Sequence, residues 1–377
     1  MGFAPTEKPL AEQYLSQFPV TANLTYLNHA AVSPLSKPCA DAMRRLADDA
    51  ECWGSLHYDE WLETYEGLRA AAARLVNAHR DEIAIVKNTS EGIATIALGL
   101  GFRAGDRVVA FREEFPANYY PWKQLEARGV DVRWLSVMDP LDRIAEACRS
   151  AKMLAISFVQ YLSGYRADLP AIGRICKENG TFFLVDAIQG LGAFPLDVRA
   201  ANIQALAADG HKWLTGPEGC GILYVQREWQ DRIEPVEFGW TNVAGYVDYA
   251  SRDMTLRPDA GRYEPGTLNT IGIYGLKAAI EFLLSVGIER IGEAVVRCAG
   301  LLADGARQKG YQLMTERTPE TAAGIVSIRK HDVDARLVVQ HLKRNNVIAA
   351  PRQGWVRLSP HFYISEEAAS RAIDLLP

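Results

Sequence analysis

The sequence predicts an α/β fold: a large domain built on a mostly parallel sheet flanked by helices, followed by a smaller α+β C-terminal domain. Short apolar runs recur up to Val225 without the polar alternation of a half-exposed sheet, so each reads as a strand buried on both faces. Helical patterns separate most of these runs, and strand–helix alternation of that kind builds a sheet with helices on both sides. The smaller domain rests on a change of pattern, since long helices dominate past about Thr270.

The strand runs are residues 82–86, 107–111, 153–157, 182–185, 203–207 and 221–225. Helical patterns occupy residues 90–100, 121–128 and 168–179 between them. Residues 271–286 and 289–309 read as the two long helices, 321–329 as a lone strand and 334–345 as a further helix. A strand at 355–359 then precedes a terminal helix from Glu366. This places the large domain at 21–288 and the small one at 289–377, with residues 1–20 joined to the small domain or to a partner subunit.

The 377 residues carry 41 Lys and Arg against 46 Asp and Glu, and a net charge of −5 gives no electrostatic reason to expect nucleic acid. Cysteines at 39, 52, 148, 176, 220 and 298 form no CxxC pair, which reads as reduced thiols in a cytoplasmic protein. No apolar run approaches the roughly 20 residues that span a bilayer, so no membrane is expected. The seven histidines show no close ligand spacing, and no metal is expected.

Ligands of an open α/β sheet bind beyond the carboxyl ends of its strands, so the polar residues there carry the chemistry. The run 182–185 ends in Asp186, with Gln189 three residues on, and 203–207 leads to Asp209-Gly210-His211-Lys212. The run 82–86 leads to Asn88-Thr89-Ser90, which opens a helix. Each has an ordinary reading: a turn aspartate, a solvated lysine, an N-cap. Jointly they match the needs of pyridoxal 5′-phosphate (PLP). Lys212 offers the amine for a Schiff base, and Asp186 an anion that would keep the pyridine nitrogen protonated. Thr89 and Ser90 offer hydroxyls and N–H groups at a helix N-terminus, which favours a phosphate.

At these residues the sequence resembles the class V aminotransferase family of fold type I PLP enzymes, which includes cysteine desulfurases, isopenicillin N epimerase and kynureninase. The resemblance runs from Tyr26-Leu27-Asn28-His29-Ala30-Ala31 to Arg357-Leu358-Ser359 and is most specific at Val185-Asp186-Ala187-Ile188-Gln189 and Gly210-His211-Lys212. It implies that Lys212 holds the cofactor and that Asp186 partners the pyridine nitrogen. Gln189 resembles the residue contacting the phenolic oxygen, His211 a phosphate-side ligand and Ser90 the helix-terminal phosphate ligand. Gly266-Thr267 resembles a loop that reaches the phosphate of the neighbouring subunit, which implies a homodimer with shared active sites. Arg357 resembles the arginine that clamps a substrate α-carboxylate, a task suited to a bidentate guanidinium.

The departures from the family pattern are informative. Phe115 stands where desulfurases carry a histidine over the ring; it can stack but cannot move a proton. Asp209 stands where a phosphate-contacting serine is common, so its carboxylate is expected to turn to a backbone amide or to His211. Tyr161 aligns with an asparagine that faces the ring in many relatives. Desulfurases attack sulfur with a cysteine on a loop shortly before the carboxylate-binding arginine. Here 347–355 contains none, which disfavours a cysteine desulfurase.

Gly99-Leu100-Gly101-Phe102-Arg103-Ala104 fits a nucleotide fingerprint only in letters, because it closes a helix instead of opening one. Trp53, His57, Trp61 and Tyr65 recur every four residues, as on a packed helix face. Arg352 reads equally as an assistant to Arg357 or as a solvated arginine. The expected activity is at Cα of an amino acid or related amine, with transamination first. Epimerisation like that of isopenicillin N epimerase and cysteine-independent C–S or β-elimination are the alternatives, and a PLP-binding sensor without turnover is the reading from another class.

Overall fold

The structure is a computed structural model and describes residues 8–377. Its main sheet has seven strands in the order Ile83–Val86, Gly221–Val225, Ala205–Asp209, Phe182–Asp186, Met153–Ser157, Arg107–Phe111 and Asp131–Leu135. All neighbours are parallel except Gly221–Val225, which runs antiparallel to both of its partners. That reversal follows from its connection: residues 210–220 turn straight back without a crossover helix, and a parallel pairing would need one. Five of the strands are buried along their whole length, as apolar runs without alternation require, and Arg107–Phe111 is buried from its second residue on.

The edge strand Asp131–Leu135 has no counterpart in the sequence reading. Only Leu135 is buried in it, so no continuous apolar run marks it. The lone strand expected at 321–329 is shorter, Val326–Arg329, and is not alone. It pairs antiparallel with Trp355–Leu358 and Gln312–Leu313, and Ala350–Arg352 completes that four-stranded sheet.

The aromatic recurrence at 53, 57, 61 and 65 does not lie on one helix. Helix Lys37–Trp53 stops at Gly54, whose φ of 61° suits glycine, and a new helix begins at Tyr58. Trp53 is exposed, while His57 and Trp61 both bind Asp49, at 2.7 and 3.1 Å. The long helix Thr270–Val286 packs against Lys37–Trp53 and Tyr58–Val76. No single helix among the described residues is long and apolar enough to cross a membrane. Thr270–Val286 and Ile288–Gln308 would suffice only together, and they are bent by 83°.

The early part of the chain is tied to the late part. Thr25–Tyr26 pairs in parallel with Val347–Ile348, and Phe18 stacks on Tyr363 with ring centroids 3.7 Å apart. Residues 1–7 of the segment expected to join the small domain lie outside the described residues.

Candidate active site

Lys212 sits in the tight turn that follows strand Ala205–Asp209. The Gly210 N–H donates to the Cys220 carbonyl at 2.9 Å, and Gly216 N–H donates back to the Gly210 carbonyl at 2.9 Å. A Cβ on Gly210 would stand 2.8 Å from that Cys220 oxygen, so the turn needs glycine there. The turn aims Lys212 inward, leaving it 8% exposed. Burial lowers its pKa to about 8 from the usual 10.5, against the partly compensating charge of Asp186. Among the described residues no carboxylate forms an ion pair with it.

Asp186 ends the neighbouring strand Phe182–Asp186 and is 3% exposed. Among the described residues its carboxylate accepts only the Ile188 N–H, at 3.2 Å, and burial raises its pKa to about 6. Opposite it in register lies Ser157, whose N–H donates to Glu114 at 2.6 Å and whose hydroxyl also binds that carboxyl. Burial, with the Asp186 charge as a lesser cause, pushes Glu114 up to about 8, so it is protonated at neutral pH. Sequence reasoning missed Glu114; its only signal was an acid directly before Phe115.

Thr89 and Ser90 open helix Thr89–Gly99, capped by Asn88, whose side chain accepts the Glu91 N–H at 2.9 Å. The first N–H groups of the helix have no intrahelical acceptor and face outward from its end. Thr89 Oγ1 accepts the Asp209 N–H at 3.0 Å, tying this helix to the Lys212 strand. Asp209 turns away as expected: Oδ1 accepts the Gly210 N–H at 2.7 Å, and Oδ2 lies 2.9 Å from His211 Nδ1.

Gln189 is fixed from both sides. Its Nε2 donates to the Ala30 carbonyl at 2.9 Å and its Oε1 accepts from Trp213 Nε1 at 3.0 Å, leaving one amide hydrogen free. The Phe115 ring centroid lies 5.5 Å from Lys212 Nζ and packs edge-on to Tyr161. Arg357, on strand Trp355–Leu358, is 2% exposed. It donates to the Tyr161 carbonyl at 2.8 Å, its Nε is buried without a partner, and no carboxylate among the described residues neutralises it.

These groups converge. Thr89, Ser90, Phe115, Asp186, Gln189, His211, Lys212 and Arg357 all line one cavity of ≈ 320 Å³, together with Tyr161 and Arg352. Thr267 does not. It lines a separate depression with Tyr58, Arg69 and Trp240. No cysteine lines the Lys212 cavity. The chain passes from Arg352 to Trp355 through Gln353 and Gly354 alone, both at positive φ, which makes a tight hairpin turn that holds no cysteine.

Residues 25–354 match the family described as Aminotransferase class-V. The chain belongs to that family. Like this class-V chain in sequence are an uncharacterized aminotransferase, YcbU, of Bacillus subtilis and a probable cysteine desulfurase of Methanothermobacter thermautotrophicus. Each is 31% identical, over 97% and 94% of both chains respectively. The apo structure of a cysteine desulfurase from Thermococcus onnurineus NA1 superposes with a TM-score of 0.90 at 26% identity, covering 99% of this chain and 98% of that one. The class-V chain has the fold of type I PLP enzymes and is itself a PLP-dependent enzyme. Its cavity fits that group: an amine without an ion partner, a buried carboxylate with one donor, and a hydroxyl-lined helix N-terminus.

Proposed function

We propose that this enzyme acts at Cα of an α-amino acid and that its reaction is transamination. The observation that carries the proposal is one cavity holding both a desolvated, unpaired amine and a buried, unneutralised guanidinium. Lys212 would hold the cofactor, and Asp186 would face its pyridine nitrogen. Thr89, Ser90 and His211 would take the phosphate, with Thr267 of a second copy in a homodimer. Gln189 has one amide hydrogen to spare for the phenolic oxygen, and Phe115 offers its ring face. When bound, PLP supplies the electron sink that makes the Cα proton acidic.

The rest falls to the chain. Arg357 receives the α-carboxylate with two parallel N–H donors, which orients the Cα–H bond. Lys212, with a pKa of about 8, is neutral often enough at physiological pH to accept that proton and basic enough to return it. Asp186, buried and short of donors, favours a proton on whatever nitrogen faces it. Transamination asks for one group that moves a proton, and Lys212 is that group. The same reading assigns residues 21–288 to cofactor binding and 289–377, with the early segment, to the part that brings Arg357. It also assigns the enzyme to the cytoplasm.

A second reading is favoured by relatives named as probable cysteine desulfurases. In it the substrate bears sulfur at Cβ, and C–S cleavage proceeds without an enzyme thiol, since none lines the cavity. Incubating the holoenzyme with an amino-acid panel, together with a 2-oxo acid to accept the amino group, separates the readings. Transamination yields an oxo acid and no free ammonia, whereas elimination yields ammonia together with sulfide. Lys212→Ala, reconstituted with PLP, should lose the near-visible absorption of the parent. A variant that keeps that band and full turnover would refute the role of Lys212.

A further inference from the structure

Arg352 and Arg357 point to a substrate with two acidic groups. Strands Ala350–Arg352 and Trp355–Leu358 pair antiparallel, with Ala350 opposite Arg357 and Arg352 opposite Trp355. Directly opposed residues share a face, and residues two apart on one strand share it as well. Arg352 and Arg357 therefore project from the same side of this hairpin as diagonal neighbours, and both line the Lys212 cavity.

Tyr161 fastens the hairpin in this position at two points. Arg357 donates to its carbonyl at 2.8 Å, and Gln353 Nε2 at the hairpin tip donates to its hydroxyl at 2.9 Å. Arg352 itself is exposed at the strand end, on the hairpin so anchored. Yet Arg352 makes only a bond to the neighbouring Pro351 carbonyl, at 3.0 Å, and pairs with no carboxylate among the described residues. Charge points the same way. Apart from Lys212 and the groups proposed to hold the cofactor, the cavity lining offers two cations, Arg352 and Arg357, and among the described residues no further carboxylate faces them, since Asp209 accepts the Gly210 N–H. After one α-carboxylate binds Arg357, the outer guanidinium still lacks an anion.

We infer that Arg352 is a specificity-determining residue that binds a second anionic group on the side chain of the substrate, which makes the substrate a short acidic α-amino acid. This rests on the proposal that the cavity takes an α-amino acid at Arg357. It says nothing about which bond at Cα is broken, because Arg352 acts on the side chain and not on the reacting atoms.

The test compares acids with their isosteric amides on the holoenzyme, aspartate against asparagine and glutamate against glutamine. A charge-assisted pair at Arg352 should favour each acid by about tenfold or more in kcat/KM, the difference lying in KM. Arg352→Gln should bring that ratio close to one, and Arg352→Lys should restore part of it. Calorimetry with succinate and butyrate, which cannot react, gives a readout without turnover. Succinate should bind the parent about tenfold more tightly or better, and Arg352→Gln should erase the gap. Equal kcat/KM for acid and amide in the parent, or a ratio untouched in Arg352→Gln, would overturn this inference while leaving the amino-acid reading intact. Silence toward every amino acid, acidic or neutral, would overturn both.

Discussion

Consider Lys212→Met in the cofactor-free protein. In the folded chain burial holds the ammonium at a pKa of about 8, whereas an unfolded lysine titrates near 10.5. The difference of about 2.5 units, at 1.36 kcal/mol each, means that folding at neutral pH carries an unfavourable contribution of up to about 3 kcal/mol from this side chain. Between pH 8 and 10.5 the unfolded chain binds the extra proton, so stability from this group rises with pH until both states are neutral. Methionine is similar in length and has no charge to desolvate. Urea denaturation should therefore find Lys212→Met more stable than the parent by about 1–3 kcal/mol at pH 7, with the gap closing by pH 10.5. Equal stability at pH 7, or a gap that does not shrink with pH, would refute the argument that the amine is held desolvated for chemistry at a cost in stability.

Asp186→Asn keeps the shape but not the charge, and should slow exchange of the Cα proton with solvent by about a hundredfold or more, read by NMR in deuterated buffer. It should also lower the Lys212 pKa further, because the Asp186 charge is what raises it. Arg357→Ala removes the buried clamp and should raise KM for amino acids about tenfold to a hundredfold in steady-state assays, with little recovery in Arg357→Lys. His361 is buried and held neutral, its pKa lowered to about 4 by burial, while His29 beside it is lowered well below 6.5. The unfolded chain takes up protons below pH 6.5 that the folded chain refuses, so stability should fall as pH drops from 6.5 toward 4. His361 alone accounts for up to about 3 kcal/mol, and His361→Gln should flatten that part of a denaturation-versus-pH profile.

What the sequence showed, and what it hid, follows from where information sits. Strands such as Phe182–Asp186 were legible because burial on both faces leaves an unbroken apolar run. Asp131–Leu135 was not, because an edge strand is half exposed and reads as loop. The direction of Gly221–Val225 was equally hidden, since an apolar run looks the same either way round. In the site, Lys212, Asp186 and Thr89 could be found because each ends or follows a strand. Glu114 could not, because an acid in a loop looks solvated until a fold buries it against Ser157. Arg352 stayed ambiguous for a different reason: which way it faces depends on the register Ala350↔Arg357, and register is a property of two strands.

The pairing of Thr25–Tyr26 with Val347–Ile348 closes a loop of 347 − 25 = 322 residues. All seven strands of the main sheet, and Lys212 with them, lie before residue 226, so that sheet needs none of the chain beyond the long helices. The earliest described strand must wait, exposed and without a partner, while most of the protein is made. Long-range closures of this kind are slow because chain entropy is lost before contacts are gained. The pairing that gives the early segment its partner lies beside the strand that carries Arg357, the proposed carboxylate clamp.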